Sequence, residues 1–204
     1  MRFRVLALDF DGTIALDGRL DPEVAAVLDQ LRAQGLWFPV DVSTSAQATL
    51  GGMAGNNSCG SRSIAYGNMV HNVLGASAWL SDGTLAEFGP VEGLSGRAAE
   101  IATFVRELAA QHREDIEARW PKVLRRVAGY NLDIFNNQSE RPYTNDGGVN
   151  LAHLLVGSEG TLAFTRCLTL QLAELPAARV LGVVNFPTFR AAMSAAQHIV
   201  KLVP

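Results

Sequence analysis

Cysteine is scarce. The 204-residue sequence holds two, Cys59 and Cys167, too few for a disulfide framework and in keeping with a reduced, cytoplasmic setting. Runs of basic residues are missing as well. Seventeen Lys and Arg against twenty Asp and Glu give a net charge of −3, so no phosphate-tracking nucleic-acid surface is expected. No apolar stretch approaches the roughly 20 residues that a membrane-spanning helix needs. The opening MRFRVLALDF reaches an acid too early to serve as a signal peptide. Internal repeats and low-complexity tails are also lacking. What is present argues for a folded protein: 48% apolar and 18% charged residues exclude a wholly disordered or coiled-coil chain and suit one large or two small domains with a real core. Glycine is plentiful at 19 residues, which points to backbone in close approach to something.

Along the chain, the apolar run at residues 5–8 reads as a buried strand. Asp21-Pro22-Glu23 then provides a cap, a proline at the first helical position and an acid in the first turn. Val24, Val27, Leu28 and Leu31 follow at helical spacing to Gly35, and residues 37–42 would complete a βαβ unit. Residues 43–60 are small, polar and Gly-rich, without helical or strand period. Residues 69–89 read as a hairpin turning at Asp82-Gly83. Ile101, Phe104, Val105 and Leu108 mark an amphipathic helix. Residues 120–149 read as loop with a short helix near 123–127. Residues 162–172 alternate like a half-buried strand, residues 180–184 read as another, and Thr188 caps a final helix.

Asp9-Phe10-Asp11-Gly12-Thr13, directly after the first strand, resembles the first motif of the haloacid dehalogenase phosphatases. Two carboxylates two residues apart on a loop leaving a strand can converge on one Mg²⁺ and one phosphate. The resemblance implies Asp9 as nucleophile and Asp11 as acid/base, with Ser43 or Thr44, Lys122 or Lys201, and Asp146 as a further metal ligand to complete the set. The alternative is that Asp9 and Asp11 are ordinary loop carboxylates.

A longer resemblance begins near Leu36. FPVDVSTSAQATLGGMAGNNSCGSRSIAYGNMVHNVLG, then NDGGVNLAHLLVGSEGTLAFTRCLTLQLAELP and RVLGVVNFPTF, are similar to the FAD-linked oxidases with a PCMH-type FAD-binding fold, in the D-lactate and glycolate dehydrogenase branch. The resemblance implies FAD as cofactor and a small D-2-hydroxy acid as substrate. It also implies an iron–sulfur or other electron-acceptor partner, and a cytoplasmic location with peripheral attachment to the inner membrane left open. A side-chain-poor turn lets backbone amides approach pyrophosphate and flavin oxygens. On that basis Thr49, Gly51, Gly52, Asn56, Asn57 and Gly60 form one wall of the site, continued by Gly67 and Val70, and Ser158, Glu159, Gly160 and Thr161 form the other. A flexible linker is the alternative for the first stretch and an ordinary strand-entry turn for the second. Cys59, His71 and His153 lie nearby but read as buried structural residues.

The resulting expectation is an α/β to α+β fold, a mixed sheet flanked by helices. Residues 1–35 form a haloacid-dehalogenase-like βα fragment, residues 36–176 an incomplete FAD-binding subdomain, and residues 177–204 the start of a cap domain. Residues 36–44 suit either parent. The family's first FAD subdomain would precede residue 36 and its cap would run past residue 204, so the chain reads as a chimera or fragment. Three functions follow: the FAD-binding portion of a hydroxy-acid dehydrogenase, a Mg²⁺-dependent phosphohydrolase, or a non-catalytic remnant.

Overall fold

The computed structural model describes residues 15–16, 19–20, 22–45, 47–127, 129–136 and 141–202. Strands β1 (Ala15–Leu16) and β2 (Arg19–Leu20) pair antiparallel ahead of helix α1 (Pro22–Ala33). Proline at the first helical position and Gly35 at φ +72° just past the end account for the limits of α1. Asp9 and Asp11 lie outside the described residues.

Strand β3 is only Leu36–Trp37, and it pairs antiparallel with β7 (Ala173–Glu174). The expected strand over residues 37–42 is therefore corrected. Pro39 has no N–H to give a ladder, and the chain leaves the sheet there. The other strand of the expected βαβ unit, residues 5–8, lies outside the described residues.

The core is built on β4 (Val73–Trp79), the central strand of an antiparallel sheet in the order β5-β4-β6, with β5 (Leu85–Phe88) and β6 (Phe164–Leu170). The hairpin closes as Asp82-Gly83 implies: the Leu80 N–H donates to the Thr84 carbonyl at 2.9 Å, and Gly83 sits at φ +82°. The three short helices α2 (Leu50–Gly55), α3 (Ser63–Tyr66) and α4 (Met69–Asn72) precede β4, so residues 69–72 are helix rather than hairpin. Helix α5 (Gly96–Gln111) forms where an amphipathic helix is expected, but the stripe it buries is Ala98, Ala102, Val105 and Ala109; of the four expected apolar positions only Val105 is buried, and Phe104 is 64% exposed. Helix α6 (Arg113–Arg119) follows it, and α7 (Ala152–Leu155) packs on β4. Helix α8 (Phe189–Ile199) begins at Thr188, whose hydroxyl accepts from the Ala191 N–H at 3.2 Å. Met69, Val70, Ala78, Leu151 and Ala152 are fully buried, each large apolar side chain worth about 1.5–3 kcal/mol in transfer free energy.

Three further expectations change. All strand pairs among the described residues are antiparallel, so the sheets are not mixed and the fold is α+β. Residues 123–127 form no helix, because the Arg126 carbonyl accepts from two asparagine side chains instead of a following backbone amide. Residues 180–184 form no strand: Val180 and Leu181 are 93% and 90% exposed, and without a neighbour to pair its amides an extended segment makes no ladder.

Candidate functional site

The Gly-rich stretch is ordered, and it contains a helix that periodicity did not reveal. Thr49, in extended backbone, caps α2 by accepting the Gly52 N–H on its hydroxyl at 2.9 Å. Gly51 and Gly52 each cost α2 about 1 kcal/mol relative to alanine; burial of Met53 and Ala54 compensates. The second wall is the turn from Gly157 to Gly160, with φ of +85° at Gly157, +53° at Glu159 and +75° at Gly160. The two walls are hydrogen-bonded to each other: the Gly157 N–H donates to the Ala54 carbonyl at 2.9 Å, and the Glu159 N–H to the Gly55 carbonyl at 3.0 Å.

Between them opens a cleft of about 530 Å³, lined by Thr49, Gly51, Gly52 and Asn56 on one side, Ser158, Glu159 and Gly160 on the other, and Phe164, Thr165, Arg166 and Leu168 of β6 along its length. A Cβ on Gly51 or Gly160 would meet nothing within 4 Å. The missing side chains leave bare backbone facing open space, as close approach to a ligand requires.

The remaining sequence-derived positions lie elsewhere, each with a structural task. Asn57 is 1% exposed; its Oδ1 accepts from the Val70 N–H at 3.0 Å and its Nδ2 donates to the Arg126 carbonyl at 3.2 Å. Asn57 and Val70 thus pin α2 to α4 and do not line the cleft. Gly60 packs on Asp41, whose carboxylate accepts from Ser61 Oγ at 2.7 Å and the Arg62 N–H at 3.2 Å. Gly67, at φ +75°, has no room for a Cβ beside the His71 ring, 2.8 Å from its nearest atoms. Thr161 donates its hydroxyl to the Ser158 carbonyl at 2.6 Å, beside Tyr130 Oη at 2.8 Å. The amide cradle expected of the second wall is corrected in part: the N–H groups of Gly157, Ser158, Glu159 and Thr161 all bond protein carbonyls, which leaves them no donor for a ligand.

The two histidines are structural, as their sequence setting suggests. His153 Nε2 lies 3.1 Å from the Val73 carbonyl, and burial holds the ring's pKa down at about 4. His71 Nδ1 accepts the Asn68 N–H at 3.1 Å, and burial likewise lowers its pKa to about 4. The Tyr143 ring stands edge-on to both at 5.7 Å. Cys59 Sγ accepts from the Arg125 guanidinium at 3.0 Å. Asp146 accepts the Gly148 N–H at 2.9 Å in a local turn. Among the described residues no three His, Cys, Asp or Glu side chains gather to hold a metal.

Sequence reasoning missed the segment that holds the walls in place, residues 126–133. The Arg126 carbonyl accepts from both Asn57 Nδ2 and Asn68 Nδ2 at 3.2 Å. Its guanidinium makes a two-pronged pair with Asp133 at 2.9 and 2.8 Å and donates to Asn131 Oδ1 at 3.1 Å. Asn131 Nδ2 in turn donates to the carbonyls of His153 and Val156 at 3.0 and 2.9 Å, just ahead of Gly157. One buried network therefore grips the first wall through a backbone carbonyl and the second through an amide. Asn131 and the Arg126/Asp133 pair within one apparent loop, with Asn57 and Asn68 outside it, were its trace in the sequence.

Comparison with known proteins supplies the chemical context. A family described as an FAD binding domain matches residues 23–89, a span that begins inside α1 and includes β3, α2, α3, α4 and the β4–β5 hairpin. D-2-hydroxyglutarate dehydrogenase of Pantoea ananatis is 32% identical over 192 residues, covering 88% of this chain and 18% of that protein. The Escherichia coli enzyme of the same name is 31% identical over 91% of this chain and 19% of its own length. A probable mitochondrial D-lactate dehydrogenase of Danio rerio is 29% identical over 95% of this chain and 28% of its own length. The chain thus spans less than a third of the length of these relatives. A solved alkyldihydroxyacetonephosphate synthase covers 87% of this chain and 24% of its own at 19% identity and a TM-score of 0.47. FAD is the cofactor to which the family match and these relatives point.

Proposed function

We propose that this chain is the FAD-binding portion of an oxidoreductase acting on a small D-2-hydroxy acid of the lactate, glycolate or hydroxyglutarate type. The observation that carries this reading is the cleft itself: two stretches a hundred residues apart in sequence, both chosen from sequence as flavin-facing, meet across one opening with glycine backbone on both sides. The fit to a dinucleotide rests on the open space beside Gly51 and Gly160 and on the mixture of bare backbone, the Thr49 and Ser158 positions, and the apolar Leu168 along the walls. Such a site suits a ligand that is flat and apolar in part and oxygen-rich elsewhere.

When bound, FAD supplies the two-electron acceptor for the substrate's C2 hydride. The chain's own residues place it. Thr49 holds the first turn of α2 so that Gly51 and Gly52 face the opening, and the paired turns at Gly55 and Glu159 set the width of the floor. Leu155 and Ala163 exclude water from the base of the cleft. An electron-acceptor partner completes the cycle.

The test is direct. Purified and desalted chain should carry visible flavin absorption, or should quench the fluorescence of added FAD in a saturable titration. A colourless protein that leaves FAD fluorescence unchanged overturns the reading.

A further inference from the structure

We infer that Glu159 is a ligand-binding residue of this cleft, its carboxylate accepting hydrogen bonds from vicinal hydroxyls of the cofactor, in the ribityl chain or the ribose. The assignment rests on the FAD reading and sharpens it. The first observation is conformational. Among the described residues only Asn57 and Glu159 hold a positive φ without being glycine. Asn57 is buried and bonded through both side-chain polar atoms, and asparagine visits the left-handed region readily. Neither reason applies to Glu159. It stands at φ +53° in a turn whose other left-handed positions, Gly157 and Gly160, are glycine. The bond from the Glu159 N–H to the Gly55 carbonyl fixes that backbone, and glycine would make the same bond without strain. A side chain kept at such a position beside a cleft is kept for what it does.

The second observation is that the carboxylate is free. Glu159 is exposed on the cleft wall. Its side chain makes no hydrogen bond or ion pair among the described residues, Arg166 of the same cleft included. The third is that donors stand beside this acceptor: the Gly51 and Gly160 N–H groups have no protein acceptor among the described residues. Free amides and a bare carboxylate together suit a group that both accepts and donates, as a hydroxyl does. A phosphate would accept from the amides but meet the like charge of Glu159. The flavin N3–H is flanked by two carbonyl oxygens that repel a carboxylate. Two adjacent hydroxyls instead offer one charge-assisted bond to each carboxylate oxygen.

The experiment measures the dissociation constants of FAD, riboflavin, lumiflavin and adenosine for the wild-type chain, E159Q and E159G. Lumiflavin carries the ring system without the ribityl hydroxyls. E159Q should weaken FAD about 10-fold, the loss of one charge-assisted contact, and E159G should weaken it further. Lumiflavin affinity should be the same in all three chains. A loss for riboflavin assigns the contact to the ribityl chain, and a loss for adenosine assigns it to the ribose. Because E159G relieves the left-handed backbone, its thermal midpoint should match or exceed that of the wild type while FAD binds more weakly. A fall in both would make Glu159 a structural residue and overturn the assignment. Unchanged FAD affinity in both variants overturns it and leaves the FAD reading standing, as does tighter binding, which would place a phosphate against residue 159. Equal losses for lumiflavin and riboflavin also overturn it, because the carboxylate then serves the ring. A wild-type chain that binds adenosine but not FAD, with adenosine weakened in E159Q, overturns the FAD reading and leaves the hydroxyl contact standing. A wild-type chain that binds none of the four overturns both.

Discussion

Replacing Asp133 by alanine should be among the most damaging single changes in this chain, though Asp133 does not line the cleft. The Arg126 and Asp133 side chains are 13% and 6% exposed. Asp133 takes two donors from Arg126 at 2.9 and 2.8 Å, and the Tyr143 hydroxyl at 3.2 and 3.3 Å. In D133A the guanidinium keeps Asn131 Oδ1 at 3.1 Å and the Tyr143 ring face at 5.6 Å, but its charge is left uncompensated in a site nearly closed to water. Stranding one partner of a buried pair costs about 3–5 kcal/mol, which in a chain of this size corresponds to a fall in thermal midpoint of about 6–20 °C. The exposed Arg113–Glu117 pair, with side chains 61% and 38% exposed, is the internal control: E117A should cost less than about 1 kcal/mol. Urea unfolding followed by far-ultraviolet circular dichroism gives both numbers. Replacing both partners by leucine should recover most of the loss, because no buried charge then remains. A D133A cost below about 1 kcal/mol, or an R126L/D133L chain no better than D133A, would refute the view that this pair is a desolvated unit holding the walls together.

How much of this arrangement the residues announce depends on whether the signal is local. The α1 boundaries, the Asp82-Gly83 hairpin, the presence of α5 and the Thr188 cap are local signals, read within a few positions, and the structure reproduces them. Which face of α5 is buried is not local, and the structure buries its alanines and Val105 in place of the expected Ile101, Phe104 and Leu108. Segments 123–127 and 180–184 have helix-like or strand-like composition, but hydrogen-bond partners decide them. For the first, the partner is the pair of asparagine amides on the Arg126 carbonyl; for the second, no neighbouring strand is present among the described residues. Helix α2 was illegible because two glycines mask its period, and only tertiary burial of Met53 and Ala54 makes it form. In the site, glycines facing open space were readable because the absence of a side chain is itself the signal. Asn57 and Val70 belong to the same motif yet serve its scaffold. A sequence pattern marks both the cleft-facing residues and those that brace them, and only the fold separates the two.

Two further predictions test the scaffold. Gly157→Ala places a Cβ at φ +85° and 3.0 Å from the Gly129 carbonyl oxygen. It should cost about 1–3 kcal/mol in urea unfolding and weaken FAD retention, because the Gly157 N–H to Ala54 bond joins the walls; wild-type stability in G157A would show that the turn tolerates a side chain. The second concerns pH. His153 is 3% exposed and its pKa is held by burial at about 4, against an ordinary value of 6.5. Between those two values the unfolded chain binds a proton that the folded chain refuses, so the contribution of the neutral ring is complete above pH 6.5 and is lost as the pH falls toward 4. The pKa difference corresponds to about 3 kcal/mol for His153, and His71, lowered in the same direction by burial, adds to the same slope. Urea midpoints measured across this window should fall steadily with acidification, and His153→Gln, which keeps a side-chain amide near the Val73 carbonyl but cannot titrate there, should flatten the slope whatever its effect at neutral pH. An equal slope in H153Q would mean that His153 is already charged in the folded protein. Burial would then not be what excludes it from proton chemistry beside the cleft.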